Sequence, residues 1–279
     1  MNLLTGGARN WIQGRYDSMA RTSPLLILLA TLALAQSTAA TAQCVAESGP
    51  RRVALLELYT SEGCDSCPPT DRWVSTLAQR GLDRDRVVTL GFHVDYWNYL
   101  GWNDPYGRAE HSARQRTANQ RNKARVVYTP QLMLNGADYR PGRIREDVAD
   151  RVGAINQRKP AASIRLKAAA SGGTLAAEGA AAVTDPAQRD GARAYLALYE
   201  NNLSTDIKAG ENRGKRLRHD YVVRTLAGPY AVDFRGEIAL NHRFVLDPGW
   251  KTADLHLAAF VQNERTGDVL QALALPYCK

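Results

Sequence analysis

The sequence predicts two classes of structure in series, an α/β half followed by an all-β antiparallel sandwich. Three observations lead there. The stretch Val53–Trp73, VALLELYTSEGCDSCPPTDRW, joins a strand that is apolar on both faces to a Cys-x-x-C pair and the start of a helix. Helix-like and strand-like segments then alternate as far as about residue 159. From about Pro160 the helical periodicity stops, and short alternating runs follow one another between Gly, Asp, Asn and Pro.

The 279 residues exceed one average domain, and 44% hydrophobic with 23% charged residues is the composition of a globular protein. The N-terminus reads separately. Leu25 to Ala35 is apolar apart from one Thr, follows Arg21 and precedes Ala40-Thr41-Ala42, an A-x-A cleavage pattern. Residues 1–42 are therefore expected to be a secretory signal peptide, because eleven residues fall well short of the roughly twenty needed to span a bilayer. Met19-Ala-Arg-Thr makes a compact charged start for that signal, so translation is expected to begin at Met19. Gln43 before Cys44 is the wrong residue for lipoprotein processing. The expected product is periplasmic or secreted, with no stable membrane span.

Cleavage lowers the net charge from +8 to 33 basic against 27 acidic side chains, or +6. This surplus suits solubility or acidic envelope surfaces better than nucleic-acid binding. All four cysteines, Cys44, Cys64, Cys67 and Cys278, remain in an oxidising compartment. Three pairings are possible; the one that keeps the Cys-x-x-C together joins Cys44 to Cys278 and closes a loop of over two hundred residues. In the chain-entropy model that closure stabilises by up to about 5 kcal/mol.

In the first half, a strand through Val53–Tyr59 leads by the turn Thr60–Gly63 to Cys64 and Cys67, with Pro68 and Pro69 suited to a helix's first turn. A helix N-terminus favours thiolate over thiol. Cys64 is thus expected to attack and Cys67 to resolve a mixed disulfide. The alternative, half a zinc site, lacks a second Cys-x-x-C or a His-x-x-x-His. Trp73 and Leu77 continue the helix, and Gly81 stops it. RVVTLGFHV (86–94) is the second strand. Asp104-Pro105 starts a basic helix that runs to about Lys123 with a solvated face. VVYTPQLMLNG and ADYRPG form a hairpin across Asn135-Gly136, and Ile144, Val148, Val152 and Ile155 mark a last helix. This order of elements is that of the thioredoxin fold.

ELYTSEGCDSCPPTDRW, HVDYWNYLGWNDPY, ARQR, VYTPQLMLNG and GENRGKRLRHDYVVR resemble a family of exported bacterial thioredoxin-like proteins catalogued only as a domain of unknown function. The resemblance implies a thioredoxin-like fold for the first half, which the change of pattern bounds at residues 43–159, and the alternating runs place the sandwich over 160–279. It also implies a cis proline at Pro130 after Thr129, leaving backbone groups beside the cysteines free for a substrate strand. By the same resemblance Glu57, seven residues before Cys64, corresponds to a buried acid that moves the proton of the second cysteine. Two departures stand out: Gly63 replaces the common Trp, and Asp65-Ser66 separates the cysteines, so a less oxidising couple is expected.

His93, at the end of the second strand, is expected near the cysteines, where it is simply hydrogen-bonded, tunes them or joins them in holding copper(I). In the second half SIRLKA, TLAAEGAAAV, ARAYLALYE, RHDYVVR, NHRFVL, LHLAAFVQN and VLQALALP read as strands, the last two joined at ERTGD. The block Glu211–Arg224 is either a docking surface or a solvated basic loop. His219, Asp220, His242 and His256 show no ligand or triad spacing and carry no assigned chemistry. The function expected is a thiol–disulfide oxidoreductase without a cofactor or assigned metal. Its partners are protein thiols or disulfides and a recycling redox protein, and Thr129 and His93 are on the substrate side. The competing readings are copper(I) binding by Cys64, Cys67 and His93, and a non-catalytic binding module with a permanent disulfide.

Overall fold

The computed structural model describes residues 43–140 and 147–278; the expected signal peptide, with its start at Met19, lies outside them. Three strands of the first half are where the apolar runs put them: β2 (Ala54–Thr60), β3 (Val87–His93) and β4 (Gln131–Leu134). β2 pairs parallel with β3 and antiparallel with β4, so it is central and buried along its whole length. β4 turns into β5 (Ala137–Tyr139) through Asn135 and Gly136, both at positive φ, the conformation that a two-residue hairpin needs. Helices α1 (Pro68–Ser75) and α3 (Val148–Asn156) cover one face of these strands. There Ala54, Leu56 and Leu58 meet Val74, Leu77, Val148, Val152 and Ile155.

Helix α2 (Ala109–Arg121) covers the other face, and it is not the solvated helix its composition suggests. His111, Ser112, Gln115, Ala118 and Asn119 are buried. The polar ones are satisfied by one another and by the sheet: the Gln115 and Asn119 amides both donate to Gln131 Oε1, at 2.8 and 2.9 Å. Paired in this way, buried amides do not carry the cost of unmet hydrogen bonds.

The expected fold class is corrected by how the sheet continues. No separate α/β thioredoxin-like domain followed by a sandwich forms. The protein is mostly β-sheet, with fourteen strands and three α-helices among the described residues. β8 (Ala192–Glu200), β11 (Val222–Ala231), β13 (Leu255–Asn263) and β14 (Val269–Pro276) join the first-half strands in one eight-stranded sheet, ordered β14-β13-β8-β11-β3-β2-β4-β5. The junction is the free edge of β3, where Gly91 N–H donates to Tyr221 O at 2.7 Å and Val222 lies opposite Gly91. The chain's two halves are also sewn together away from this edge. Arg52 Nε donates to Val269 O at 2.8 Å, and Val53 N–H to Gln271 Oε1 at 2.8 Å. The described residues pack as one compact unit, and the expected border after residue 159 falls inside it.

A second sheet, β1-β6-β7-β12, lies over the β8–β13–β14 end. It is built from β1 (Gln43–Glu47), β6 (Ala162–Ser171), β7 (Thr174–Val183) and β12 (Glu237–Val245). Ile164, Leu166, Leu175, Ile238 and Phe244 fill the space beneath it against Leu196, Leu257, Val261 and Leu270. The sequence pattern gave no sign of β1. It is held by its pairing with β6 and by the disulfide from Cys44 to Cys278, whose Cα atoms are 5.7 Å apart. A two-stranded ribbon of β9 (Leu203–Asp206) and β10 (Arg216–His219) completes the fold.

Candidate functional site

The Cys-x-x-C turn connects β2 to α1. Cys64 and Cys67 are joined as a disulfide, and all four cysteines are paired. Cys67 is the residue before the helix, and Pro68 and Pro69 open it. The prolines remove two N–H groups from the first turn, and the next two, those of Thr70 and Asp71, donate to Cys67 O at 2.9 and 3.1 Å. No helix N–H is left to bond a thiolate, so α1 can stabilise one only through its dipole. Gly63 is small for a reason visible here. A Cβ at that position would stand 3.0 Å from Trp97 Cβ and 3.2 Å from Trp97 O.

Both sulfur-bearing residues are buried, Cys64 at 1% and Cys67 at 0% exposure, while Asp65 and Ser66 between them face outward. The cover comes from the loop between β9 and β10. Fully buried Asn212 donates from Nδ2 to both Glu62 O (2.8 Å) and Cys64 O (2.9 Å), and Asp65 N–H donates to Glu211 Oε2 at 3.3 Å. The start of the basic block Glu211–Arg224 is therefore a clasp on the cysteine turn. A cleft of about 790 Å³ opens beside the same turn, lined by Pro69, Thr70, Trp73, Tyr128, Pro130 and Tyr139 among others.

Beneath the turn lies a buried cluster that the sequence reading did not single out. Glu62, Asp71, His93, Asp104 and His219 are all under 8% exposed. Asp104 binds His93 Nδ1 at 2.7 Å and accepts from Glu62 N–H at 2.8 Å. These contacts overcome burial and hold the Asp104 carboxyl below the usual range. Glu62 faces His219 Nε2 at 3.2 Å and accepts from Trp102 Nε1 at 2.8 Å. Asp71 takes Thr60 Oγ1 at 3.0 Å on one oxygen, while the other stands 3.7 Å from His219 Nδ1, too far for a hydrogen bond. His219 Nδ1 is thus buried without a hydrogen-bond partner. Burial alone would lower the His219 pKa, but the carboxylates of Asp71 and Glu62 outweigh it and push it up to about 10. The two imidazoles meet edge to face with centroids 4.8 Å apart, and one ligand atom from each of Asp71, His93 and His219 lies within 4.8 Å of the others.

The residues expected from the sequence fall into two groups. Pro130 follows a cis peptide bond after Thr129, and it lines the cleft beside the cysteine turn. Thr129 Oγ1 accepts from Trp97 Nε1 at 2.7 Å. Glu57 is buried but belongs to the α2 side of the sheet, where Arg114 Nε reaches its Oε1 at 2.6 Å and Tyr59 donates at 3.2 Å. Burial would lower the Arg114 pKa, yet Glu57 beside it raises it. Glu57 is thus committed to an ion pair. His93 is grouped with Asp71 and His219 instead of with the sulfurs expected for copper, and neither cysteine is part of that convergent set. Nothing in the sequence spacing signals the cluster, because its members come from a turn, α1, the end of β3, a loop and β10.

Residues 55–262 match the family described as "Protein of unknown function (DUF1223)", and the chain belongs to that family. Among solved structures it is similar to protein AGR_C_4864 from Agrobacterium tumefaciens, at 25% identity and a TM-score of 0.56 over 81% of this chain and 96% of that one. It is also similar to HBP35 of Porphyromonas gingivalis, at 16% identity and a TM-score of 0.60 over 82% of this chain and 76% of that one, a likeness of fold. No curated protein matches it. Among the described residues no helix is long and apolar enough to cross a membrane.

Proposed function

We propose that this member of the family is an exported thiol–disulfide oxidoreductase that works through Cys64 and Cys67. The observation that carries the reading is the three-residue disulfide at the start of α1, next to a half-open cleft that contains Pro130. In the reducing direction the Cys64 thiolate attacks a substrate disulfide, forms a mixed disulfide and releases one substrate thiolate. The Cys67 thiolate then attacks Cys64 Sγ, closes the Cys64–Cys67 bond and releases the second thiolate. Two electrons pass to the substrate, and the reverse sequence oxidises a dithiol. Export is supported by the apolar stretch before Ala40-Thr41-Ala42 and by the pairing of every cysteine.

The site also favours a definite potential. With no free helix N–H for the thiolate and Asp65 beside Cys64, the reduced form gains little stabilisation. The couple should lie nearer the thioredoxin value of about −270 mV than the strong oxidase value of about −120 mV. Equilibration with glutathione and mass mapping of alkylated thiols tests this. A pair that never opens between those potentials would remove the proposal. It would instead favour a second reading, a non-catalytic module with a permanent disulfide, for which the burial of both cysteines speaks.

A further inference from the structure

The cluster beneath the cysteine turn has a composition that redox chemistry at Cys64 and Cys67 does not require. Three carboxylates, Glu62, Asp71 and Asp104, are buried together, and among the described residues no Lys or Arg forms an ion pair with any of them. Their partners are two imidazoles, His93 at Asp104 and His219 at Glu62. Negative charge buried in excess of its partners is costly, and a cation at the centre would offset it.

The hydrogen bonds around the imidazoles specify where that cation would sit. Asp104 takes His93 Nδ1, and Glu62 takes His219 Nε2. Each carboxylate engages one ring nitrogen, and at His219 an incoming ion would displace the proton from the other. Metal-ligating histidines are held in this way by an outer carboxylate. In His219 the remaining nitrogen, Nδ1, is buried without a hydrogen-bond partner and has Asp71 Oδ1 3.7 Å away. Asp71 keeps that oxygen available because Thr60 occupies the other one.

We propose that Asp71, His93 and His219 form a binding site for a divalent transition-metal ion of the zinc class. Two nitrogens and one carboxylate oxygen suit such an ion and not calcium or magnesium, which take oxygen ligands. Ligands about 2.1 Å from zinc lie about 3.4 Å apart in a tetrahedron. The present spread of up to 4.8 Å therefore needs small side-chain rotations and no backbone change. Three protein ligands leave a fourth position open. The ion would tie α1, the end of β3 and β10 together behind the cysteine turn. The site is independent of the redox reading, since no cysteine contributes to it.

The test is titration of the chelator-stripped full chain, with both disulfides intact, with zinc chloride by calorimetry, alongside cobalt(II) followed by visible absorption. One equivalent should bind. His219→Ala and Asp71→Asn should each weaken it by at least about 100-fold, and Glu62→Gln by about 10–100-fold, as for an outer-shell group. A Cys64→Ser/Cys67→Ser variant should still bind one equivalent. If the ligand variants fail to fold, the wild-type cobalt spectrum decides: ligand-field bands without thiolate charge transfer support the site, and thiolate charge transfer opposes it. The proposal is overturned if the wild type takes up no stoichiometric zinc. It is equally overturned if folded His219→Ala and Asp71→Asn bind as the wild type does.

Discussion

Glu57 separates two roles that a buried acid in a central strand can have, and the Arg114 pair makes the difference measurable. Arg114 Nε lies 2.6 Å from Glu57 Oε1, with the side chains only 11% and 2% exposed. The guanidinium also stands 5.1 Å from the ring centroids of Tyr195 and Phe260 and donates to Gln262 Oε1 at 3.1 Å. Replacing Arg114 by Met leaves a carboxylate buried and unpaired, and replacing Glu57 by Leu strands the guanidinium. Each change should cost about 3–5 kcal/mol. The double variant removes both charges and loses the hydrogen bonds to Tyr59 and Gln262, at about 1 kcal/mol each, with the contacts of the guanidinium on the Tyr195 and Phe260 rings, which Arg114→Met alone also loses. It should therefore be more stable than either single variant, with a coupling energy of at least about 2 kcal/mol. Urea unfolding at neutral pH with disulfides intact gives the three differences, provided the m-value is unchanged. Strictly additive losses would refute the account, because they would mean that the two charges do not depend on each other. In the same material Glu57→Gln should leave thiol-exchange rates and their pH dependence as they are, since Glu57 is held on the α2 side of the sheet. A slowed exchange would restore it as a base.

Three further outcomes follow from single contacts. Asn212→Ala removes both bonds from the clasp to Glu62 O and Cys64 O; dithiothreitol should then open Cys64–Cys67 faster, at a stability cost of about 1–3 kcal/mol, and an unchanged rate would show that the clasp does not limit access. Gly136→Ala should destabilise strongly in thermal melts, because φ is +81° and the new Cβ would stand 1.9 Å from Gly267 O; a melt within a degree or two of wild type would contradict that packing. Tyr195 donates its hydroxyl to Glu264, and burial, then that bond, push its pKa up to about 12. The fold favours the protonated phenol, so its contribution is complete below pH 10 and lost as the pH rises through 12; Tyr195→Phe should flatten the alkaline fall in stability and remove a late step from the ultraviolet titration.

What could be read in advance depended on how far apart the interacting residues lie in sequence. The Asn135-Gly136 hairpin, the fully apolar β2 and the proline-opened helix after Cys67 are local, and each stands where its pattern put it. The alternating runs after Pro160 are strands too, but alternation says only that a strand has faces; it does not say which edge it will meet. β11 could complete a sheet of its own or extend another, and the choice made at Gly91 against Tyr221 and Val222 turns two expected domains into one sheet. α2 misleads for a related reason. Gln115 and Asn119 read as solvent-facing until Gln131 is opposite them, and Arg114 reads as a surface cation until Glu57 is beneath it.

The same limit explains why the chemistry was only half legible. Cys64 and Cys67 announce themselves because a disulfide across two intervening residues fits within one turn, so their spacing alone brings the sulfurs together. Cation binding imposes no such spacing, because any three side chains that converge will serve. His219 is 157 residues from Glu62, its acid partner, and in the sequence it stood in a basic block that read equally as a docking surface or a solvated loop, with no chemistry assigned to it. Burial changes its meaning: a histidine on β10 becomes a second imidazole beside His93, with one nitrogen fixed by Glu62 and the other left without a hydrogen-bond partner. Glu62 N–H meets Asp104, the Glu62 side chain meets His219, and Asn212 holds Glu62 O together with Cys64 O. One chain of hydrogen bonds thus runs from His219 through Glu62 and Asn212 to the backbone carbonyl of Cys64. Zinc occupancy should consequently change how fast the Cys64–Cys67 bond is reduced. Comparing that rate in stripped and zinc-loaded protein, in wild type and in Glu62→Gln, asks whether the two sites are mechanically joined. Equal rates in all four would show that the shared turn transmits nothing.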